Sequence, residues 1–545
     1  MLRYALAGMA LAVSVGGPAA AAPVVASTGS GQVAGTIDRG APVFRGIPYA
    51  APPVGPLRWR PPQPALAWSG VRDATRFAPA CPQTPDSPVM MVGPVGASSE
   101  DCLTLNVWMP ANAAANARLP VMVWIHGGGF FTGSGSERQF DGAPYVARGV
   151  VFVTINYRLG RLGFFAHPAL DAEHPDEPHG NYGLMDQIAA LNWVKTNIAG
   201  FGGDPGNVTV FGESAGGISI LASMATPMAQ GLFQKAIVES GAFPNPMRDI
   251  AADRPNQPSA ETLGKAFAEA QGIGGPDAAA ALRALPVEKI APSKPAGMDE
   301  IGKIQVTSAP MIDGKMFTED IFTTFAGHGQ ARIPLLIGNN SLEALVWLFR
   351  PDGKMGTVPI LPVDPAMLDK LGPDKDRIVA AYSPRFGGDM AKLVPALVSD
   401  LLVGAGTRFI AGYAAGDQPT YLYRFEAVPT PLRDVTAGAP HGAEIPYVFG
   451  VLYSLRNVGP RTTDADRALS ATVIDYWTSF AKTGNPNGRE RPNWPALSAD
   501  GDGLMLRFSD TDAAVTGAIP NAAYTLFLRN LVQQFVKPAE KPRVP

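Results

Sequence analysis

The sequence predicts an α/β protein with one large, mostly parallel central sheet flanked by helices and carrying helical cap insertions. Three observations lead there. Strand-length runs are apolar throughout, as in LPVMVWIH (119–126), VVFVTINY (150–157) and NVTVF (207–211), which is how strands covered on both faces read. Between them, GLMDQIAALNWVKTNI (183–198) carries apolar residues at helical spacing. No linker, repeat or block of like charge divides the 545 residues, so 23–545 is read as a single domain.

Residues 1–22 have the pattern of a secretory signal. Arg3 precedes a short apolar stretch, Tyr4 to Val15, then Gly16-Gly17-Pro18 and the small residues Ala19 to Ala22. The protein is therefore expected to be secreted or periplasmic. No later segment approaches the ~20 uninterrupted apolar residues that a membrane span needs. A net charge of −3 gives no reason to expect nucleic acid or an anionic surface as partner.

From about residue 28 a small antiparallel start is expected, followed by alternating strands and helices. KAIVES (235–240), IPLLIGN (333–339) and TYLYRFE (420–426) extend the set of strands. Segments 245–332 and 352–415 are richer in Ala, Pro and charge and read as helical insertions capping one edge of the sheet. ATVIDYWTSFAKTGNPNG (471–488) is an amphipathic helix with a glycine-asparagine stop. Cys81 and Cys102 are the only cysteines. In an oxidising compartment they can close a loop, and otherwise they are two buried thiols. With two thiols and no nearby histidine pair, a zinc site is not expected.

The chemistry centres on VTVFGESAGG (208–217). A strand, then Gly212-x-Ser214-x-Gly216, then a helical run places Ser214 on a strand-to-helix bend that exposes its hydroxyl. The small residues either side suit such a tight bend. A serine needs a base, and the chain has six histidines, of which only His328 and His441 follow Ser214. His328 precedes a strand, at the entry end. Catalytic groups gather at the carboxyl ends of strands in open α/β sheets, so His441 in GAPHGAEIPYVFG (438–450) is the candidate base. Glu343, a few residues past IPLLIGN, is the candidate acid to orient it, with Asp400 as the rival. His126-Gly127-Gly128-Gly129 ends a strand in a run that can aim successive N–H groups at one spot, as an oxyanion hole requires. Ala215, after the serine, supplies another N–H, and His126 is read as a local structural residue. Trp347 and Phe349 either line an apolar pocket or join the core.

These motifs, with FRGIPYAAPPVGPLRW (44–59), SEDCLTLNVW (99–108), NYRLGRLGF (156–164), GNYGLMDQ (180–187), FGGDPGNVTVFGESAGG (201–217) and HGAEIPYVFG (441–450), resemble the type-B carboxylesterase and cholinesterase-like family of the α/β-hydrolase fold. The resemblance runs from about residue 28 to 535. It implies a catalytic triad of Ser214, Glu343 and His441, an oxyanion hole of Gly128, Gly129 and Ala215, and a disulfide between Cys81 and Cys102. The family usually has Asp-Glu-Gly around the acid, where this chain has Leu342-Glu343-Ala344. Its choline-binding members carry a tryptophan in the disulfide loop, whereas residues 82–101 contain no aromatic residue, which argues against choline esters.

The reading is a serine carboxylic-ester hydrolase acting through an acyl-enzyme on small to medium, mainly uncharged esters, with no metal or organic cofactor. An acyltransferase or amidase would use the same triad, and a non-catalytic binding protein could use the same scaffold. Oligomeric state is not legible in the sequence.

Overall fold

Apolar strands that need both faces covered stack side by side beneath helices, and the computed structural model of the chain has this layering. It describes residues 24–83, 96–114, 117–255, 257–291, 308–349, 354–360, 373–386, 388–454, 459–489, 491–499, 503–510, 515–518 and 534–536; the expected signal, 1–22, lies outside them. In chain order the strands begin with β1 (Val24–Thr28), β2 (Gly31–Asp38), β3 (Ala41–Pro48), β4 (Val71–Asp73), β5 (Thr104–Trp108) and β6 (Leu119–Ile125). Then come β7 (Val151–Ile155), β8 (Gly203–Glu213), β9 (Lys235–Glu239), β10 (Arg248–Asp249), β11 (Met311–Ile312) and β12 (Leu335–Asn340). The last are β13 (Leu342–Phe349), β14 (Met355–Pro359), β15 (Thr420–Phe425), β16 (Pro440–His441), β17 (Leu504–Phe508) and β18 (Val515–Ala518).

A 13-stranded sheet runs β1-β2-β3-β5-β7-β6-β8-β9-β12-β15-β17-β18, with β4 beside β2. Along β1-β2-β3-β5-β7 the strands pair antiparallel, while β4 lies parallel to β2. From β7 to β17 every pairing is parallel. Alternate residues of β6 enter opposite cores, as a period of two requires. Val121, Val123 and Ile125 join one cluster with Leu191 and Val194 of the helix Tyr182–Asn197. Met122 and Trp124 join the other with Val473 and Trp477 of the helix Asp464–Thr483. Each such fully buried side chain contributes ~1.5–3 kcal/mol relative to leaving it in water.

Parallel register lines up the strand ends: Glu213 pairs with Glu239, and Glu239 with Gly338. A second, three-stranded sheet, β14-β13-β16, stands past the end of β12. The sequence places Glu343 a few residues past IPLLIGN without assigning it to a strand, and it lies in β13. The apolar residues of β13 find an antiparallel partner in β14, with Val346 opposite Val358. Segment 352–415 therefore opens with a strand before its helices, Lys375–Phe386, Met390–Ser399 and Ala405–Ala415. A run of 26 helical residues, Met390–Ala415, is long and apolar enough by composition to cross a membrane, but 78% of its most apolar window is buried inside the fold, as in a core helix. In segment 245–332 the described residues hold four short helices and the small β10–β11 pair.

Cys81 and Cys102 form a disulfide. On the chain-entropy model, closing a loop of this size stabilises the fold by ~3 kcal/mol.

Candidate active site

The bend after β8 explains its own sequence. Ser214 sits at φ 57, ψ −120, a conformation costly for any residue with a Cβ. It is held there because its N–H donates to Glu239 O at 2.9 Å while its C=O accepts from Ile218 N at 2.9 Å. The flanking glycines are required by space. A Cβ on Gly212 would lie 2.5 Å from Ile125 O, and one on Gly216 would lie 2.0 Å from the same atom. Ser214 is half-buried at the head of the helix Ala215–Ala225, with Ala215 buried behind it.

Glu343 and His441 meet across the small sheet. β13 and β16 pair in parallel, Leu342 with Pro440 and Val346 with His441, with an irregularity between. Leu342 N donates to Ala439 O at 2.8 Å, and Asn340 Nδ2 donates to Pro440 O at 2.8 Å. This stitching brings His441 Nδ1 to 2.5 Å from Glu343 Oε2. The other carboxylate oxygen, Oε1, accepts from Ser240 Oγ at 2.6 Å and from Asn340 N at 2.5 Å. Ala344 N donates to Ser399 Oγ at 2.9 Å, which ties the Leu342-Glu343-Ala344 segment to the helix Met390–Ser399. Glu343 is fully buried.

The other ring nitrogen of His441, Nε2, lies 3.1 Å from Glu213 Oε1. The Ser214 hydroxyl makes no hydrogen bond among the described residues, although it belongs to the residue next to Glu213. Glu213 in turn fixes Gly127, where a Cβ would fall 2.7 Å from Glu213 Oε2. Burial raises the Glu213 carboxyl above its ordinary value, with His441 pulling it down and Glu343 pushing it further up. Burial alone would depress His441, but the Glu213 and Glu343 carboxylates outweigh it, and its pKa stands above the usual imidazole value. Glu444 is also buried and raised by desolvation, with Asn340 Nδ2 donating to it. Glu239, raised to about 8 by burial, accepts from Trp477 Nε1 at 2.7 Å. Glu213, Glu343 and Glu444 thus act on one histidine, and Glu239 lies behind Glu213.

At the end of β6, Gly128 and Gly129 adopt φ 100 and φ 61, the left-handed region that favours glycine. His126 is structural, as expected. It is buried, stacks on Tyr157 at 4.4 Å, and is pushed down to about 4 by desolvation. His328 is a surface histidine with Nδ1 2.7 Å from Asp417. Asp400 is engaged by other groups: it accepts from Tyr382 Oη at 2.5 Å and from Arg424 Nη1 at 3.1 Å. Trp347 is buried in the core cluster, and the Phe349 side chain lies outside the described residues. Among the described residues no group of three or more His, Cys, Asp or Glu is placed to hold a metal.

Sequence reasoning missed Glu213, Ser240, Ser399 and Glu444. Ser240 was within reach of a simple signal, since it follows the carboxyl end of β9 where functional groups collect.

The model of the carboxylesterase family matches residues 21–525. Among curated relatives, a para-nitrobenzyl esterase of Bacillus subtilis (strain 168) is 39% identical, over 87% of this chain and 92% of its own. A fumonisin B1 esterase of Sphingopyxis macrogoltabida is 35% identical, over 88% and 85%. Among solved structures, a thermophilic PNB esterase superposes with a TM-score of 0.75 at 34% identity, covering 93% of this chain and 99% of that one.

Proposed function

The chain belongs to the carboxylesterase family, has the α/β-hydrolase fold and is a carboxylic-ester hydrolase, and from that premise we propose that Ser214 is its nucleophile, His441 its base and Glu343 the acid that orients the base. The observation that carries this reading is the 2.5 Å contact from His441 Nδ1 to the buried Glu343, beside the strand end that holds Ser214 in its strained bend. A carboxylate on Nδ1 leaves Nε2 as the nitrogen that takes a proton.

Ser214 Oγ attacks the ester carbonyl carbon as its proton passes to Nε2. The negative oxygen of the tetrahedral intermediate accepts from the N–H groups of Gly128, Gly129 and Ala215. Collapse expels the alcohol, which takes the proton from the imidazolium and leaves an acyl-serine. Water, losing a proton to the same Nε2, then releases the carboxylic acid and restores the hydroxyl. In the free protein Nε2 faces Glu213, and hydrogen bonds of this kind commonly tighten only once substrate is bound.

The substrates we infer are small to medium, mainly uncharged esters. Residues 82–101, without an aromatic side chain, offer no face for a quaternary ammonium group. The signal-like residues 1–22 and the disulfide support export to the periplasm or beyond.

The test is covalent labelling. A p-nitrophenyl alkylphosphonate should release one equivalent of p-nitrophenol per chain and leave its phosphonyl mass on the peptide bearing Ser214. A label elsewhere, or none, overturns the assignment. The pH profile tests the base. Only neutral imidazole accepts the serine proton, so a raised His441 pKa makes kcat/KM climb with pH along a limb centred above the ordinary imidazole value. Glu213→Gln removes one of the raising carboxylates and should move that limb to lower pH, by about one unit or more. A limb that stays in place removes Glu213 from the account.

A further inference from the structure

The disulfide loop reaches the glycine turn through one side chain. Gln83, two residues past Cys81, is buried, and both ends of its amide are used. Its Nε2 donates to Gly133 O at 2.8 Å and to Cys81 O at 3.0 Å. Its Oε1 accepts from Gly133 N at 2.8 Å and from Thr132 Oγ1 at 2.8 Å. Two donors and two acceptor sites are all that a primary amide has, so this one is saturated.

What it grips lies against the glycine turn. A Cβ on Gly133 would fall 2.4 Å from His126 Nδ1 and 2.8 Å from Gly127 O, and one on Gly128 would fall 2.2 Å from Thr132 O. Gly128 O accepts from Phe131 N and Thr132 N, each at 3.1 Å. Gly127 O lies 2.8 Å from His126 Nδ1, which donates to it, since a carbonyl can only accept. A trans peptide holds its C=O and the next N–H in opposite directions. Fixing the carbonyl of Gly127 therefore aims the N–H of Gly128, and fixing that of Gly128 aims the N–H of Gly129. Of the three N–H groups assigned to the oxyanion, those of Gly128 and Gly129 are set from behind by His126 and by the Phe131–Gly133 turn.

We propose that Gln83 is a positioning residue for the oxyanion hole, held in place by the Cys81–Cys102 bond and acting through Thr132 and Gly133. The inference rests on the nucleophile and oxyanion assignments above. Gln83 touches no reacting atom; it holds the turn whose carbonyls aim the donors. Losing it displaces donors rather than removing them, so the rate should fall less than when a donor is deleted.

The experiment is Gln83→Ala, with kcat expressed per site titrated by the phosphonate. The active-site titre should stay near one per chain, kcat per titrated site should fall about 10- to 100-fold, and KM should stay within about twofold. Affinity for an aryl trifluoromethyl ketone, which forms a charged tetrahedral adduct with serine, should fall by the same factor as kcat/KM. Where Gln83→Ala fails to accumulate, Gln83→Glu is read the same way, since it keeps the shape and the acceptors and replaces the two N–H donors. A loss confined to the titre, or a kcat per site equal to wild type, overturns the proposal and makes Gln83 a folding residue only. A wild-type chain that is not labelled is a separate failure, overturning the nucleophile assignment and this inference with it.

Discussion

Replacing Ser214 with alanine is expected to lower kcat on a short p-nitrophenyl ester by roughly a million-fold, and Glu343→Gln by roughly ten-thousand-fold. The double variant should be no slower than Ser214→Ala alone, because the residues act as one unit. The size of the Glu343 effect follows from its partners. Its carboxylate accepts on Oε1 from Ser240 Oγ and Asn340 N, and on Oε2 from His441 Nδ1. A glutamine has only one oxygen for these two sides. With its NH2 toward Asn340, two donors face each other in a dry site, at a penalty of ~1–3 kcal/mol. With its NH2 toward His441, Nδ1 must become the acceptor, which puts the ring proton on Nε2 where the serine proton has to go. Steady-state kinetics on titrated enzyme measures both variants, and Ser214→Ala retaining a substantial share of wild-type kcat would sink the assignment.

Gly128→Ala should reduce kcat by about a hundred- to a thousand-fold, the usual effect of losing one oxyanion donor, with a smaller change in KM. Two independent strains act there. The residue stands at φ 100, which a side chain disfavours, and the new Cβ would lie 2.2 Å from the backbone oxygen of Thr132. The peptide must rotate, and its N–H leaves the oxyanion. Gly274→Ala is the matched control, since a Cβ there meets nothing within 4 Å and no unusual φ stands in its way. If the two variants are equally active, Gly128 has no part in the chemistry.

Much of this site was legible because its signals are local. Apolar runs gave the strands, small residues around Ser214 gave the bend, and order along the chain left His328 and His441, between which the strand ends singled out His441. Glu343 was legible as a residue but not as a structure. Nothing in LEALVWLF says that it will pair with Pro440-His441 on one side, because that partner lies far away in sequence, while Met355–Pro359, on the other side, follows only a few residues later. The same holds for Ser240, Ser399 and Gln83, whose roles come from hydrogen bonds that only the assembled fold defines. Glu213 was in plain view inside the motif. Its effect on His441 depends on burial, which a neighbour list along the chain does not carry.

The parallel pairing of β13 with β16 has a consequence for how the protein is made. The acid stands 98 residues before the histidine, and the two are joined by strand pairing rather than by a local turn. Such long-range contacts form only after the intervening chain has been placed, and they are slow to form. A chain still emerging from the ribosome can already carry the serine bend but has no His441 beside it. With the proposed triad, hydrolytic activity is expected to be deferred until the segment bearing His441 has docked, and a half-made copy is expected to be inert toward the esters of the cell that makes it.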